Sequence, residues 1–174
     1  MKEQISTAYW HEKLKQLGII VIIPSYNNGK TLADVIESVR FYAPDILVVN
    51  DGSTDETAEI LSRESNLHTI THPGNQGKGV ALRHGLSFAK KQGFRYAITI
   101  DSDGQHFASD IPALIESIEK EPDTLLVGAG FNDFLQLFPK ITRCRFRKQL
   151  RIPDYAVFQR FGNAVRENFF GQGI

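Results

Sequence analysis

Five short apolar runs recur along the chain: Ile19–Ile23, Ile46–Val49, Leu67–Thr71, Tyr96–Ile100 and Thr124–Val127. They are rich in β-branched residues and mostly lack polar alternation, the pattern of strands covered on both faces. Between them the apolar positions recur at helical spacing, which predicts helices over Thr31–Tyr42, Thr54–Ser65, Gly79–Lys91 and Ser109–Lys120. In the third, Val80, Leu82, Leu86 and Ala89 carry that spacing. Thr54 and Ser109 stand where N-caps belong, and Pro112 is tolerated in a first turn. Met1–Gly18 reads as a preceding amphipathic helix with Trp10, Leu14 and Leu17 on its apolar side. No repeat and no low-complexity linker interrupts the series. Alternating strands and helices predict an α/β fold with a parallel, doubly wound sheet.

In an open α/β sheet, ligands sit beyond the carboxyl ends of the strands. The segments that follow the strands are PSYNN (24–28), NDGSTD (50–55), HPGNQGKG (72–79) and DSDGQH (101–106). Every polar, Gly-rich stretch of residues 1–110 therefore falls on that one edge. On an extended segment, residues two apart point to the same side, so Asp101 and Asp103 face one object with Ser102 turned away. Two carboxylates aimed at one spot repel unless a cation or a shared proton lies between them. A hard divalent ion, Mg²⁺ or Mn²⁺, completed by water and substrate phosphates is the usual solution. The plainer alternative is a solvated turn with Asp103-Gly104 at its tip. Asp51 suits acceptance from a base or ribose, or simple capping; Asp55, early in a helix, suits the helix dipole. Lys78 supplies a cation suited to a diphosphate, or is a solvated loop lysine.

Two other nucleotide motifs are set aside at this point. PSYNNGKT nearly spells a phosphate loop, and AITID resembles the aspartate strand that accompanies one. Pro24 replaces its first glycine, however, and proline has a fixed φ and no amide N–H. A P-loop-like NTPase stays a remote alternative. No G-x-G-x-x-G follows the first strand, which argues against a dinucleotide-binding domain.

Composition changes the picture in one place. The 174 residues are 41% hydrophobic and 23% charged with zero net charge, an ordinary globular balance without the basic excess of a nucleic-acid partner. Residues 1–129, however, hold 12 Lys/Arg against 17 Asp/Glu, whereas 130–174 hold 8 against 3 and 8 of the 12 phenylalanines. The chain thus divides into an N-terminal helix (1–18), a half that carries the four polar loops (19–129) and a basic, Phe-rich tail (130–174). The single cysteine, Cys144, leaves no internal disulfide and favours a reducing cytoplasm. The first 14 residues lack the apolar core of a secretory signal, and GIIVIIP is too short to cross a bilayer. A membrane role would be peripheral, at the inner face.

Four segments in order, VIIPSYNN, DILVVNDGSTDET, NQGKGVALRHGL and YAITIDSDGQHFASDI, resemble the family-two glycosyltransferases of the GT-A fold. The nearest branch is that of the dolichyl- or polyprenyl-phosphate sugar synthases, and the resemblance runs from about residue 19 to 128. It implies a mostly parallel GT-A-like (Rossmann-like) sheet sandwiched by helices, incomplete at the C-terminus. It also implies a UDP- or GDP-sugar donor, a Mg²⁺ or Mn²⁺ ion, and inverting transfer to a polyprenyl phosphate or a growing glycan of the cell envelope. By motif position, Pro24 and Tyr26 line the nucleoside pocket, Asp51 contacts the base and Lys78 lies near the nucleotide. Asp101 and Asp103 form a DXD-type pair serving ribose and metal, and Gln105 approaches the metal. Asn28 is placed in the nucleotide site, though relatives often carry an acid there. No general base is found; Asp154 is a lone and poor candidate. The tail is read as truncated or frame-shifted, as a basic aromatic segment (138–153) lying on anionic lipid, or as a divergent helix pair on the sheet. If the acceptor half is missing, the alternative is a nucleotide-binding remnant that transfers nothing.

Overall fold

Seven consecutive buried residues form the central strand β1 (Ile19–Ser25), where the longest apolar run of the chain lies. A strand covered on both faces has no position that favours a polar side chain, which is why the run does not alternate. The structure is a computed structural model that describes residues 6–105 and 107–120, with three further strand segments at 125–129, 135–138 and 155–160. Around β1 the elements run α1 (Thr7–Leu17), β1, α2 (Gly29–Arg40), β2 (Ile46–Asn50), α3 (Thr57–Arg63), β3 (His68–Thr71), α4 (Lys78–Lys91) and β4 (Tyr96–Thr99). A 3-10 turn (Ala108–Asp110), α5 (Ile111–Lys120), β5 (Leu125–Ala129), β6 (Leu135–Phe138) and β7 (Tyr155–Arg160) follow.

The strands form one sheet in the order β3-β2-β1-β4-β7-β5-β6. β3, β2, β1 and β4 are parallel, whereas β7 lies antiparallel between β4 and β5, and β6 antiparallel on β5. The expected α/β sheet is thus present, and its four parallel strands carry all four polar loops. β3 is an edge strand with mostly exposed side chains rather than a strand covered on both faces. Of the tail, β6 and β7 are strands, which replaces the helix-pair reading at those two segments. The rest of the tail, with Cys144 and Asp154, lies outside the described residues.

The two faces of the sheet have separate cores. Ile19, Val21 and Ile23 pack with Val35, Ile36 and Val39 of α2, Trp10 and Leu14 of α1, and Leu114 and Ile118 of α5. Ile20 and Ile22 point the other way, onto Leu47, Val49 and the small residues Ala81 and Ala89 of α4. Each fully buried aliphatic side chain contributes about 1.5–3 kcal/mol. Helix α4 lies unusually near the sheet at Gly85, where a Cβ would meet Ile22 Cγ2 at 2.7 Å. Close approach of α4 holds its first turn, with Lys78, beside the ends of β1 and β4.

Two capping expectations are corrected. Helix α3 starts at Thr57 rather than at Thr54, and the Asp55 carboxylate accepts from the Thr57 amide at 3.1 Å. Glu56 takes the N-cap position without a side-chain cap bond, and the Thr54 hydroxyl donates to Asn27 Oδ1 at 3.4 Å instead. Ser109 lies inside the 3-10 turn that leads into α5, with no side-chain cap on that turn. Pro112 does sit in the first turn of α5.

Candidate functional site

Strand register brings the loops together. Ser25 pairs with Asn50, Asn50 with Thr71, and Ile22 with Thr99, so the chain leaves β1, β2, β3 and β4 at nearly the same level. Backbone bonds continue past the strand ends: the Asp51 amide donates to Ser25 O (2.8 Å), His72 N to Asn50 O (2.9 Å) and Ile100 N to Ile22 O (3.0 Å). The next residues of each strand, where the sequence changes from apolar to polar, open onto one cleft.

Side-chain bonds then link the four loops in a ring. Asn27, held at φ 55°, accepts from the Thr54 amide through Oδ1 (2.8 Å), and its own amide donates to Ser53 Oγ (3.0 Å). The Gly29 amide donates to Asp55 Oδ2 at 2.8 Å, fastening the first loop to the second. Two amides that a phosphate loop would offer to its ligand are thereby engaged within the protein, in accord with setting that motif aside. Asp51 joins the second loop to the third. Its Oδ1 pairs with His72 Nδ1 (2.6 Å) and accepts from the Gln76 amide (2.9 Å), and its Oδ2 accepts from the Gly77 amide (2.7 Å). Lys78 Nζ meets Asp101 Oδ2 at 2.7 Å, linking the third loop to the fourth. Asn28 closes the ring by donating to Ser102 Oγ (2.7 Å), while Thr31 Oγ1 donates to Ser102 O (2.6 Å).

The ring surrounds a cleft of about 240 Å³. Pro24, Tyr26, Asn28, Asp51, Lys78, Asp101 and Asp103 all line it. These are the residues the sequence placed in the site, apart from Gln105, which lies exposed outside the lining and donates its amide to Asp103 Oδ1 at 2.9 Å. Ser102 was expected to turn away, yet it also lines the cleft and is buried. β4 ends at Thr99 and Ser102 is in a turn, so the alternation of an extended strand no longer applies. Ser25, Asn75, Gly77 and Ala81 complete the lining and were not foreseen. Ser25 could have been found from its place: it is the polar end of an apolar strand, 2% exposed, with an Oγ that has no partner among the described residues.

Electrostatics separate the acids of the site. Burial alone would push the Asp51 carboxyl up, but the His72 ring and the Gln76 and Gly77 amides outweigh it and hold it below the ordinary range. Asp55 is likewise raised by burial and lowered more by bonds from Thr57 and the Gly29 amide. The Lys78–Asp101 pair, with Lys78 46% exposed, adds about 0–1 kcal/mol to the fold, so its importance is positional. Depressed carboxyls stabilise the fold fully above the unfolded value, about 4, and lose that contribution as pH falls through the folded value. Asp55→Asn is accordingly expected to flatten the fall of the urea midpoint from about pH 5 to about pH 2. An acid limb as steep as that of the parent would show that Asp55 does not stabilise the loops in its charged form.

Asp101 and Asp103 present hard oxygen donors to one cleft, the chemistry a Mg²⁺ or Mn²⁺ ion requires. Among the described residues no group of three His, Cys, Asp or Glu side chains is placed to hold a metal alone. Two carboxylates would leave the remaining positions of such an ion to water and other ligands.

The model of glycosyl transferase family 2 matches residues 20–169, past Gly128 where recognisable motifs end. The chain is 33% identical over 128 residues to a UDP-N-acetylglucosamine–dolichyl-phosphate N-acetylglucosaminyltransferase of Methanococcus voltae, covering 64% of this chain and 51% of that protein. It is 28% identical over 119 residues to the polyprenol monophosphomannose synthase of Mycolicibacterium smegmatis, covering 64% and 44%. The chain thus spans about half the length of these curated relatives. Among solved structures, glucosyl-3-phosphoglycerate synthase from Mycobacterium tuberculosis in complex with UDP superposes with a TM-score of 0.55 at 22% identity, covering 72% of this chain and 48% of that one. A further complex of that synthase contains Mn²⁺, UDP-glucose and phosphoglyceric acid, with a TM-score of 0.54 at 21% identity and coverage of 72% and 48%. At that identity the superposition establishes a shared GT-A fold.

Proposed function

The chain belongs to glycosyl transferase family 2, and on that premise we propose that its cleft binds a UDP- or GDP-sugar and that the sugar passes, with inversion, to a polyprenyl phosphate or a glycan. One observation carries the proposal. Seven residues drawn from four separate loops, chosen for nucleotide and metal chemistry, line one cleft at the carboxyl edge of a parallel sheet. The relatives named for dolichyl-phosphate and polyprenol acceptors support the acceptor class.

The residues divide the work. Pro24 and Tyr26 flank the nucleoside, and Asp51, a fixed acceptor, takes a hydrogen bond from the base. Lys78, the cation of the lining among the described residues, is the group assigned here to the diphosphate. Its charge opposes the negative charge that grows on the departing nucleoside diphosphate. Asp101 and Asp103 would hold a divalent ion, with Gln105 close by. When bound, that ion supplies further neutralisation of the leaving diphosphate. The acceptor oxygen attacks the anomeric carbon from the face opposite the leaving group, which inverts it. A phosphate acceptor is already anionic and needs no base, whereas a hydroxyl acceptor would need one. A polyprenyl-phosphate acceptor would bring the chain to the inner face of a membrane; among the described residues no helix is long and apolar enough to cross one.

Calorimetric titration of the purified chain with UDP and with GDP, first in Mn²⁺ and then in EDTA, tests the donor site. Binding of one nucleotide that weakens by about tenfold or more in EDTA is expected. A folded sample that binds neither nucleotide refutes the proposal. Steady release of nucleoside diphosphate in the presence of acceptor then separates a transferase from a chain that only binds.

A further inference from the structure

His72 and Asp51 are buried together, each with 4% of its side chain exposed, and neither is used by the transfer chemistry as a proton carrier. Burying two ionisable groups is costly unless each is matched, and the match continues outward. His72 Nε2 lies 2.8 Å from Nδ1 of His84, and the two rings meet edge to face with centroids 4.8 Å apart. His84 stands on the exposed side of α4, next to the close contact of Gly85 with Ile22. One chain of hydrogen bonds thus joins the end of β2, the end of β3 and the body of α4.

One tautomer of His72 suits the Asp51 carboxylate. An ionised Asp51 can only accept, so Nδ1 of His72 carries the proton toward it. In the neutral tautomer Nε2 of His72 is the acceptor, and Nδ1 of His84, at 2.8 Å, is the donor that meets it. Each of the two bonds then has one donor and one acceptor. A carboxylate has about four acceptor positions. His72 and the Gln76 amide occupy Oδ1, and the Gly77 amide occupies one position of Oδ2. Among the described residues, the remaining acceptor capacity of Asp51 is on Oδ2, and Asp51 lines the cleft.

We propose that His72, held in turn by His84, is a positioning residue that fixes the rotation of the Asp51 carboxylate and so sets which nucleobase the cleft accepts. The inference rests on the nucleotide-sugar reading of the cleft. A carboxylate locked as an acceptor admits a base that offers a ring N–H, as uracil and guanine do. It opposes a base that presents a bare ring nitrogen there, as cytosine and adenine do. The amides of Gln76 and Gly77 hold the same carboxylate from a loop, and His72 adds a third bond from the end of β3. His72 transmits the rigidity of the sheet, and His84 that of the helix.

The test titrates the parent chain, His72→Phe, His72→Asn and His84→Ala with UDP, GDP and CDP in Mn²⁺, with the urea midpoint of each as a control for folding. The parent is expected to favour UDP or GDP over CDP by roughly tenfold or more, the worth of a hydrogen bond to a charged group. His72→Phe should collapse that ratio by weakening the favoured nucleotide while CDP binding stays the same. His72→Asn, whose amide donates to Asp51 in place of Nδ1, should restore most of it. His84→Ala, at an exposed position, should lower the ratio in part. Should His72→Phe fail to fold, a His84→Ala ratio equal to the parent's overturns the inference. A folded His72→Phe that keeps the parent's ratio overturns it as well, while leaving the nucleotide-sugar reading standing. A parent chain that binds none of the three nucleotides overturns both.

Discussion

Asp103→Asn is expected to lower nucleotide affinity in Mn²⁺ by roughly 100-fold or more, to the level measured in EDTA, with the fold intact. Changes to groups that merely orient a metal ligand cost 10–100-fold in metal affinity, and a lost ligand charge stands at or beyond the upper end of that range. Asparagine is the informative substitution because Asp103 has two roles. Its Oδ1 accepts from the Gln105 amide and so shapes the turn, and an asparagine Oδ1 does the same. The charge is removed and the second oxygen becomes an amide donor, so the turn bond stays while the ligand set is lost. Asp101 is a poorer choice for the same question, since its loss also removes a partner of Lys78 at 2.7 Å. The readout is calorimetric titration with UDP and GDP, with and without Mn²⁺, alongside the urea midpoint. If affinity in Mn²⁺ is unchanged, Asp103 is not a metal ligand, and the cleft depends on Lys78 for its positive charge.

The parallel half of the fold was legible because its physics is local. Runs of buried β-branched residues announce β1, β2 and β4, and the spacing of Leu32, Val35, Ile36 and Val39 announces α2. The site was legible for a related reason. A parallel sheet delivers all its carboxyl ends to one edge, so the residues after each strand must share a surface whatever their separation in sequence. Pro24, Asp51, Lys78 and Asp101 come together on that rule alone.

What escaped the sequence depends on relations between loops. Nothing local says that Asn28 reaches Ser102 across 74 positions, or that the Gly29 amide takes Asp55 as its partner. Ser102 was misjudged because the period of two was carried past Thr99 into a turn. His72 and His84 each look like isolated surface histidines in sequence, 12 residues apart. Only the parallel pairing of β3 with β2, and the seating of α4 on the sheet, puts both rings in line with Asp51. The antiparallel order of β5, β6 and β7 is a tertiary arrangement that a strand-like run at Thr124–Val127 could not specify.

Gly52→Ala is expected to be the most damaging single substitution outside the hydrophobic core, costing roughly 2–5 kcal/mol and loosening nucleotide binding with it. Two penalties combine. Gly52 lies at φ +71°, where any residue with a Cβ is disfavoured by about 1–2 kcal/mol. Its added Cβ would also stand 2.4 Å from the Gly74 backbone and 2.8 Å from the Asn75 amide nitrogen. Backbone cannot rotate aside as a side chain does, so the loops must separate, and overpacking of that kind costs a further 1–3 kcal/mol or so. Against a typical total stability of about 5–15 kcal/mol, the combined loss is severe. The damage reaches the site because Gly74 and Asn75 lead directly to Gln76 and Gly77, whose amides hold Asp51. Displacing them removes two of the three bonds that keep that carboxylate ionised and aimed. Gly74→Ala is the control: a Cβ there meets nothing within 4 Å, and it should leave both the urea midpoint and UDP or GDP affinity near those of the parent. If the two variants behave alike, close docking of the second loop on the third is not what secures Asp51, and the rigidity of the cleft has to come from β2 and β3 themselves.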